Sequence, residues 1–288
     1  MTEPEGVGRT AIGVAYVRAA ETARPDALFR DPCAQWFVDA TRWRPPESRE
    51  VIDERYGRVW QRVIEGAVVR TRFLDDYVLD AARSGCGQVV ILGAGLDARA
   101  YRLEWPAGVR LFEVDTADVL GFKNEVLDGR GARPACERVP VACDLREDWP
   151  AALREAGLAP GAPVAWIAEG LLIYLTEEEN DRMMERVAAL SAPGSRMGLT
   201  LSGFRDGLPG AADGADGART DDGTDSLARG RGAMALWRSE GPEEPAAWLD
   251  GYGWDATVYA TAERAAAYGR PLTATSVRPR HLVDAVRR

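Results

Sequence analysis

A chain of 288 residues is long enough for one α/β domain that buries about 75% of its unfolded surface, and 46% hydrophobic residues is ordinary for a globular protein. A formal net charge of −9 argues against attraction to nucleic-acid phosphates; no apolar run is long enough to span a bilayer, and Met1–Glu5 lacks the basic and apolar segments of a secretory signal. Cys33, Cys86, Cys136 and Cys143 form no CxxC pair, which points to buried thiols in a reducing cytoplasm, and with His281 as the single histidine no metal centre is expected.

The first 86 residues read as a helical cap. Ala11 to Ala20 has helix-forming composition, and Arg24–Pro32 is a break with two prolines. Ser48 is a plausible N-cap, with Glu50 and Asp53 near the start of a long helix that could run to Arg83. Phe73 and Tyr77, and Leu74 and Val78, repeat every four residues and read as core packing. From Gln88 to the end the pattern becomes strand, turn and helix. The expected strands are Gln88–Leu92, Val109–Val114, Glu137–Ala142, Pro163–Ala168 and Arg196–Leu201. The expected helices are Thr116–Leu127, Trp149–Ala156 and Thr176–Leu190, the last opened by a Thr176-x-x-Glu179 capping box. This alternation predicts a parallel sheet with helices on both faces.

The segment 203–245 breaks the rhythm. It is rich in Gly, Ala and Asp, and the spacing of Asp213, Asp216, Asp221, Asp222 and Asp225 does not match a calcium loop. It reads as a solvated insertion that could serve as a lid. A helix over Glu243–Gly251 and a strand over Trp254–Tyr259 follow, and Thr273–Val277 with His281–Val286 predict an antiparallel edge.

The most informative stretch is Val89–Asp97, a buried strand running into Gly93, Ala94 and Gly95, followed by a second strand ending in Glu113 and Asp115. Glycines let backbone approach a ligand closely, and such a turn lies where α/β sheets bind ligands. Asp115, twenty residues past Gly95, can accept hydrogen bonds from both ribose hydroxyls. Gly93-Ala-Gly-Leu-Asp-Ala98 also fits the dinucleotide fingerprint, so an NAD(P)-dependent oxidoreductase is the competing reading. Asp97 beside a pyrophosphate, a histidine far along the chain and the acidic motif Ala168–Leu175 count against it. Asp144 and Leu145 could meet adenine, or Asp144 could instead be a helix N-cap. Glu169 could hold an ammonium group and Arg70 a carboxylate, although a helix arginine is usually solvated.

Together, Arg70–Asp76, Leu92–Arg99, Tyr101–Leu103, Phe112–Asp115, Cys143–Leu145, Ala168–Thr176, Trp248–Trp254 and Tyr268–Arg270 resemble the leucine carboxyl methyltransferase family, in its bacterial branch. The resemblance implies a Rossmann-like class I methyltransferase fold, with a mostly parallel seven-stranded sheet and S-adenosylmethionine as cofactor. It implies that Arg70 contacts the cofactor carboxylate, Gly93 and Gly95 shape the methionine pocket, Asp115 holds the ribose, Asp144 and Leu145 contact adenine, and Glu169 holds the amino group. Tyr174 would lie near the acceptor, and Arg18 is a guess for the N-terminal basic residue that eukaryotic members place beside the active site. The N-terminal segment differs from those members, so their phosphatase substrate is not carried over. Bacterial relatives that tailor polyketide and peptide natural products are the nearer neighbourhood.

A sulfonium methyl needs an acceptor oxygen held in line behind it. An ionised carboxylate needs no base, whereas a phenol benefits from one. No base is evident, His281 looking misplaced and Glu169 committed, so a carboxylate on a small molecule or peptide end is the favoured acceptor and a phenol or other hydroxyl the alternative. Arg18, Arg205 and Arg238 are candidates to orient that carboxylate. Trp237, Trp248, Tyr252 and Trp254 could line an apolar acceptor site, or, for Trp248 and Trp254, pack in the core.

Overall fold

In the computed structural model the described residues are 3–4, 6–42, 54–201, 236–239, 241–273 and 280–288. Five consecutive buried residues make Gln88–Leu92 (β1) a strand covered on both faces, and Val164–Ala168 (β4) shares that pattern. With Arg110–Asp115 (β2), Glu137–Ala142 (β3), Arg196–Leu201 (β5), Trp254–Ala260 (β6) and His281–Arg287 (β7) they form one sheet, ordered β3-β2-β1-β4-β5-β7-β6. The first five strands are parallel, and β7 runs antiparallel to both β5 and β6. Strand order reverses direction between β1 and β4, which opens a crevice at their carboxyl ends.

One expectation changes at the C-terminal end. The strand at His281 does not form an outer edge; β7 inserts between β5 and β6, and β6 takes the edge. The partner expected over Thr273–Val277 falls, beyond Thr273, outside the described residues, as do Ser48, Glu50 and Asp53. The insertion at 203–245 is described only from residue 236, apart from residue 240.

Among the described residues the α-helices are Thr10–Thr22 (α1), Pro32–Asp39 (α2), Glu54–Arg83 (α3), Arg99–Arg102 (α4), Ala117–Gly129 (α5), Trp149–Glu155 (α6), Glu177–Leu190 (α7), Pro245–Gly251 (α8) and Thr261–Ala267 (α9). The short α4 and α9 have too few turns to show a period. One sheet face packs Val69, Phe73, Leu74, Tyr77, Val78 and Ala81 of α3 against Val89, Ile91, Leu111, Ala165 and Ile167. The Tyr77 hydroxyl donates to the Trp166 carbonyl at 3.0 Å. Gly198 on β5 makes room for that ring, since a Cβ there would lie 2.5 Å from it. Thus α3 is a sheet-covering helix. The opposite face is covered by Trp149 and Leu153 of α6, Met183, Met184 and Val187 of α7, and Leu249 of α8. Ile12 and Ala15 of α1 and Phe37 of α2 pack on Phe122, Val126 and Leu127 of α5. The capping box forms as read: Thr176 accepts from the Glu179 amide at 3.2 Å, and the Glu179 carboxylate accepts from the Thr176 amide at 2.8 Å. All four cysteines are free. Burial pushes the thiols of Cys33 and Cys136 up to about 12, so they stay protonated.

Candidate active site

The turn after β1 is built by two glycines in the left-handed region, Gly93 at φ 62° and Gly95 at φ 49°. A Cβ on Gly93 would lie 2.9 Å from a Leu171 methyl, and one on Gly95 would lie 3.3 Å from the Ala11 Cβ. Between them the buried Ala94 donates its amide to the Val114 carbonyl at 3.1 Å, tying the turn to β2. Asp115 at the end of β2 closes the arrangement. One carboxylate oxygen accepts from the Gly95 amide at 2.7 Å and the other from the Thr116 amide at 2.7 Å. Burial raises its pKa, against the pull of those two amides. The oxygen facing Gly95 keeps a lone pair for a further donor, while the other also meets the Thr116 hydroxyl at 3.4 Å.

Glu169, the residue after β4, carries the second half of the site. One of its oxygens accepts from Arg70 Nε of α3 at 3.0 Å, and the other meets a terminal nitrogen of Arg99 at 2.8 Å. Burial would raise the carboxyl, but Arg99 and Arg70 outweigh it and hold the pKa below the usual value. Arg70 lies over Gly170, where a Cβ would be 3.3 Å from both of its terminal nitrogens. Arg70 is therefore ion-paired and part-buried, not solvated.

Arg99, not among the expected site residues, joins the same network. It sits two positions past Asp97, and the carboxylate that looked set to face a phosphate turns instead to the Arg99 amide (2.7 Å) and guanidinium. Burial opposes the charge, yet Arg99 wins and holds Asp97 down to about 2. With its charge paired to Arg99, Asp97 would not by itself repel a pyrophosphate. Asp75 joins the network at 2.8 Å from Arg99 Nε, and Arg102 pairs with it through two nitrogens at 2.6 Å.

Several expected residues have different occupations. Glu113 is fully buried beneath the site, 2.8 Å from Lys123 and 2.7 Å from Arg138; strand alternation puts it on the face of Asp115 but one step inside, so it does not line the crevice. Arg18 is buried and does not point a free charge at an acceptor; it pairs with Asp31 at 2.8 Å and donates to the Leu96 carbonyl at 2.6 Å. Asp144 and Leu145 follow β3 at the carboxyl edge, both part-buried. Asp144 pairs with Arg146, whose hydrogen bond lowers its pKa. The N-cap of α6 is Asp148, which accepts from the Ala151 amide at 3.2 Å. Tyr174 ends a single 3-10 turn over Leu172–Tyr174, and its hydroxyl lies 3.3 Å from that of Thr10, so the start of α1 reaches the crevice.

Among the residues considered for the acceptor, Arg238 pairs with Glu179 at 2.8 Å and donates its amide to the Ile173 carbonyl at 2.6 Å. Trp254 is core, whereas Trp248 and Tyr252 each donate to the same Asp181 oxygen at 2.8 Å. Arg205 lies outside the described residues. His281 starts β7 at the carboxyl edge of the sheet. It pairs with Leu201 at the carboxyl end of β5, two residues beyond the row Ala168–Leu199–Val283 and two strands across from β4. Among the described residues no cluster of His, Cys, Asp and Glu could hold a metal ion, and no helix is long and apolar enough to cross a membrane.

Two solved structures share this architecture. A methyltransferase from Thermobifida fusca superposes with a TM-score of 0.54 at 19% identity, over 95% of this chain and 94% of its own. Magnesium protoporphyrin IX methyltransferase from Synechocystis, with bound S-adenosylhomocysteine, gives 0.50 at 15% identity over 96% and 99%. At such identities the likeness is one of fold, and the fold is that of a class I S-adenosylmethionine-dependent methyltransferase.

The sequence comparisons go further. The family model described as leucine carboxyl methyltransferase matches residues 11–188. A relative from Frankia alni is 51% identical over 275 residues, covering 95% of this chain and 91% of its own length. One from Streptomyces avermitilis is 49% identical over 290 residues, covering 99% and 97%. Both are described as S-adenosyl-L-methionine-dependent methyltransferases. The chain belongs to the leucine carboxyl methyltransferase family, and its cofactor is S-adenosyl-L-methionine. The oxidoreductase reading falls on this membership. The residues present fit that cofactor: a glycine cradle that a Cβ would fill, an acid with spare acceptor capacity at the end of β2, and an adjoining acid and arginine matched in charge to an amino-acid zwitterion.

Proposed function

We propose that this protein esterifies a carboxylate on a small natural-product acid or a peptide C-terminus. When bound, S-adenosylmethionine supplies a methyl group already activated by its sulfonium. The chain's own task is to hold both partners and exclude water. In this reading Arg70 takes the cofactor carboxylate, Glu169 its ammonium group and Asp115 the ribose hydroxyls, with Asp144 and Leu145 beside the adenine. Tyr174, on the turn that follows Glu169, would stand on the acceptor side.

The observation that carries the carboxylate assignment is the state of Glu169. It follows β4 directly, and two arginines hold it ionised with its pKa lowered, which makes it a poor proton acceptor. An acceptor that arrives ionised needs no such help. The family's description, leucine carboxyl methyltransferase, agrees with it. Incubation with methyl-labelled cofactor and a panel of carboxylic acids and peptides is expected to yield products that release labelled methanol in mild alkali. Labelled products that all survive alkali would overturn the assignment.

One observation favours a second reading, transfer to a phenol or other hydroxyl. His281 stands at the carboxyl edge of β5, where an imidazole could take the hydroxyl proton. That reading expects His281→Ala to abolish turnover at neutral pH and to recover it at high pH. The carboxylate reading expects the variant to keep its rate.

A further inference from the structure

We propose that Arg99 is the positioning residue for the cofactor's amino-acid end. It fixes Glu169 from behind so that Arg70 can leave the acid and take the ligand carboxylate. This rests on the assignment of Glu169 and Arg70 made above. The two arginines touching Glu169 are not equivalent. Arg99 has a side chain 1% exposed, while that of Arg70 is 20% exposed. Arg99 divides its N–H groups among three acids and a carbonyl. Nε goes to Asp75 at 2.8 Å, one terminal nitrogen to Asp97, and the other to Glu169 at 2.8 Å and the Thr71 carbonyl at 3.4 Å. A guanidinium fork can serve that many acceptors at once, and an ammonium cannot.

Each of those partners is itself fixed. Asp75 is gripped by Arg102 through two bonds of 2.6 Å, and Asp97 accepts the Arg99 amide. Arg99 therefore has one place to be. Arg70 is held to Glu169 through Nε and packs its terminal nitrogens over the bare Cα of Gly170, where they have no hydrogen-bond partner among the described residues. The two arginines also address different oxygens of Glu169. When Arg70 swings to a ligand carboxylate, the Arg99 contact keeps the acid in position, and the vacated oxygen, left with the Thr71 hydroxyl at 3.5 Å, can accept from the ammonium group. Without Arg99, Arg70 would be the one cation left on Glu169 among the described residues, and a zwitterion would have to part the two.

The test is calorimetry on the full chain with two probes, S-adenosylhomocysteine and 5′-methylthioadenosine, which lacks the amino-acid end. Arg99→Met is expected to weaken S-adenosylhomocysteine by roughly ten- to hundred-fold, the equivalent of one lost charge-assisted contact, and to leave methylthioadenosine unchanged. Arg99→Lys, which keeps the charge but not the fork, should recover part of the loss. Equal weakening of both probes would mean a general scaffold role and would overturn the proposal. If Arg99→Met does not fold, Arg99→Lys carries the test by the same split: loss confined to S-adenosylhomocysteine supports the proposal, and loss of both or neither overturns it. Glu169→Gln separates the two layers of argument. If it loses S-adenosylhomocysteine while the Arg99 variants do not, the role of Arg99 falls alone. If it binds like the wild type, the assignment of Glu169 falls and takes the role of Arg99 with it.

Discussion

Replacing Arg18 by methionine should destabilise the protein without touching the chemistry directly. The guanidinium holds the Asp31 carboxylate at 2.8 Å and the Leu96 carbonyl at 2.6 Å. The Asp31 side chain is fully buried, and after the substitution its nearest cation is Arg102 at 3.9 Å. Breaking a buried pair by removing one partner costs about 3–5 kcal/mol, because the other charge is stranded. An unfolding entropy near 2.1 cal/mol/K per residue, over a chain of this length, gives about 0.6 kcal/mol per degree, so the melting temperature should fall by about 5–8 °C. Asp31→Asn in the same background should restore most of the loss, since the amide oxygen can still accept the Ala34 amide that starts α2. Thermal unfolding followed by circular dichroism, at one protein and salt concentration, reads all three proteins. Two results would refute the reasoning: a single variant that melts with the wild type but has lost turnover, which would return Arg18 to an acceptor-binding role, or a double variant that melts lower than the single one.

Two further outcomes follow from the site. Asp115→Asn keeps the side-chain shape but replaces one anionic oxygen by a donor facing a backbone amide; S-adenosylhomocysteine should bind about 1.5–3 kcal/mol more weakly by calorimetry, and an unchanged affinity would remove Asp115 from the cofactor site. Asp97 is held down to about 2 from 3.8, so its pairing with Arg99 stabilises the fold above about pH 4 and is lost as pH falls towards 2, a loss of about 2 kcal/mol in all. Urea midpoints measured down that range should decline more steeply for the wild type than for Asp97→Asn, and parallel curves would contradict the assignment.

What was legible in the sequence is what a few neighbouring residues decide. The Thr176–Glu179 box, the left-handed glycines after β1 and the run of buried residues in β1 are local, and each sits where the residues place it. The placement of β7 is not local. A strand of seven residues reads the same at an edge or one position inside, and only pairing with β5 distinguishes them. Arginine partners are harder still. Arg18 finds a carbonyl 78 residues away and Arg70 an acid 99 residues away, contacts that no spacing rule reaches.

That difficulty has a structural cause. Arg18, Arg70, Arg99 and Arg102 come from α1, α3 and α4, Asp75 from α3 as well, and Asp31, Asp97 and Glu169 from three further stretches, yet they form one chain of pairs behind the glycine turn. Buried charges are stable only when each finds its complement, so the cluster makes sense as a whole or not at all. Read one at a time, any of these arginines looks like a solvated helix residue or a free hand for an acceptor. Read together, they leave Arg70 as the member with exposed donors and a single bond to its acid, which is why the route to the cofactor's amino-acid end is argued through it.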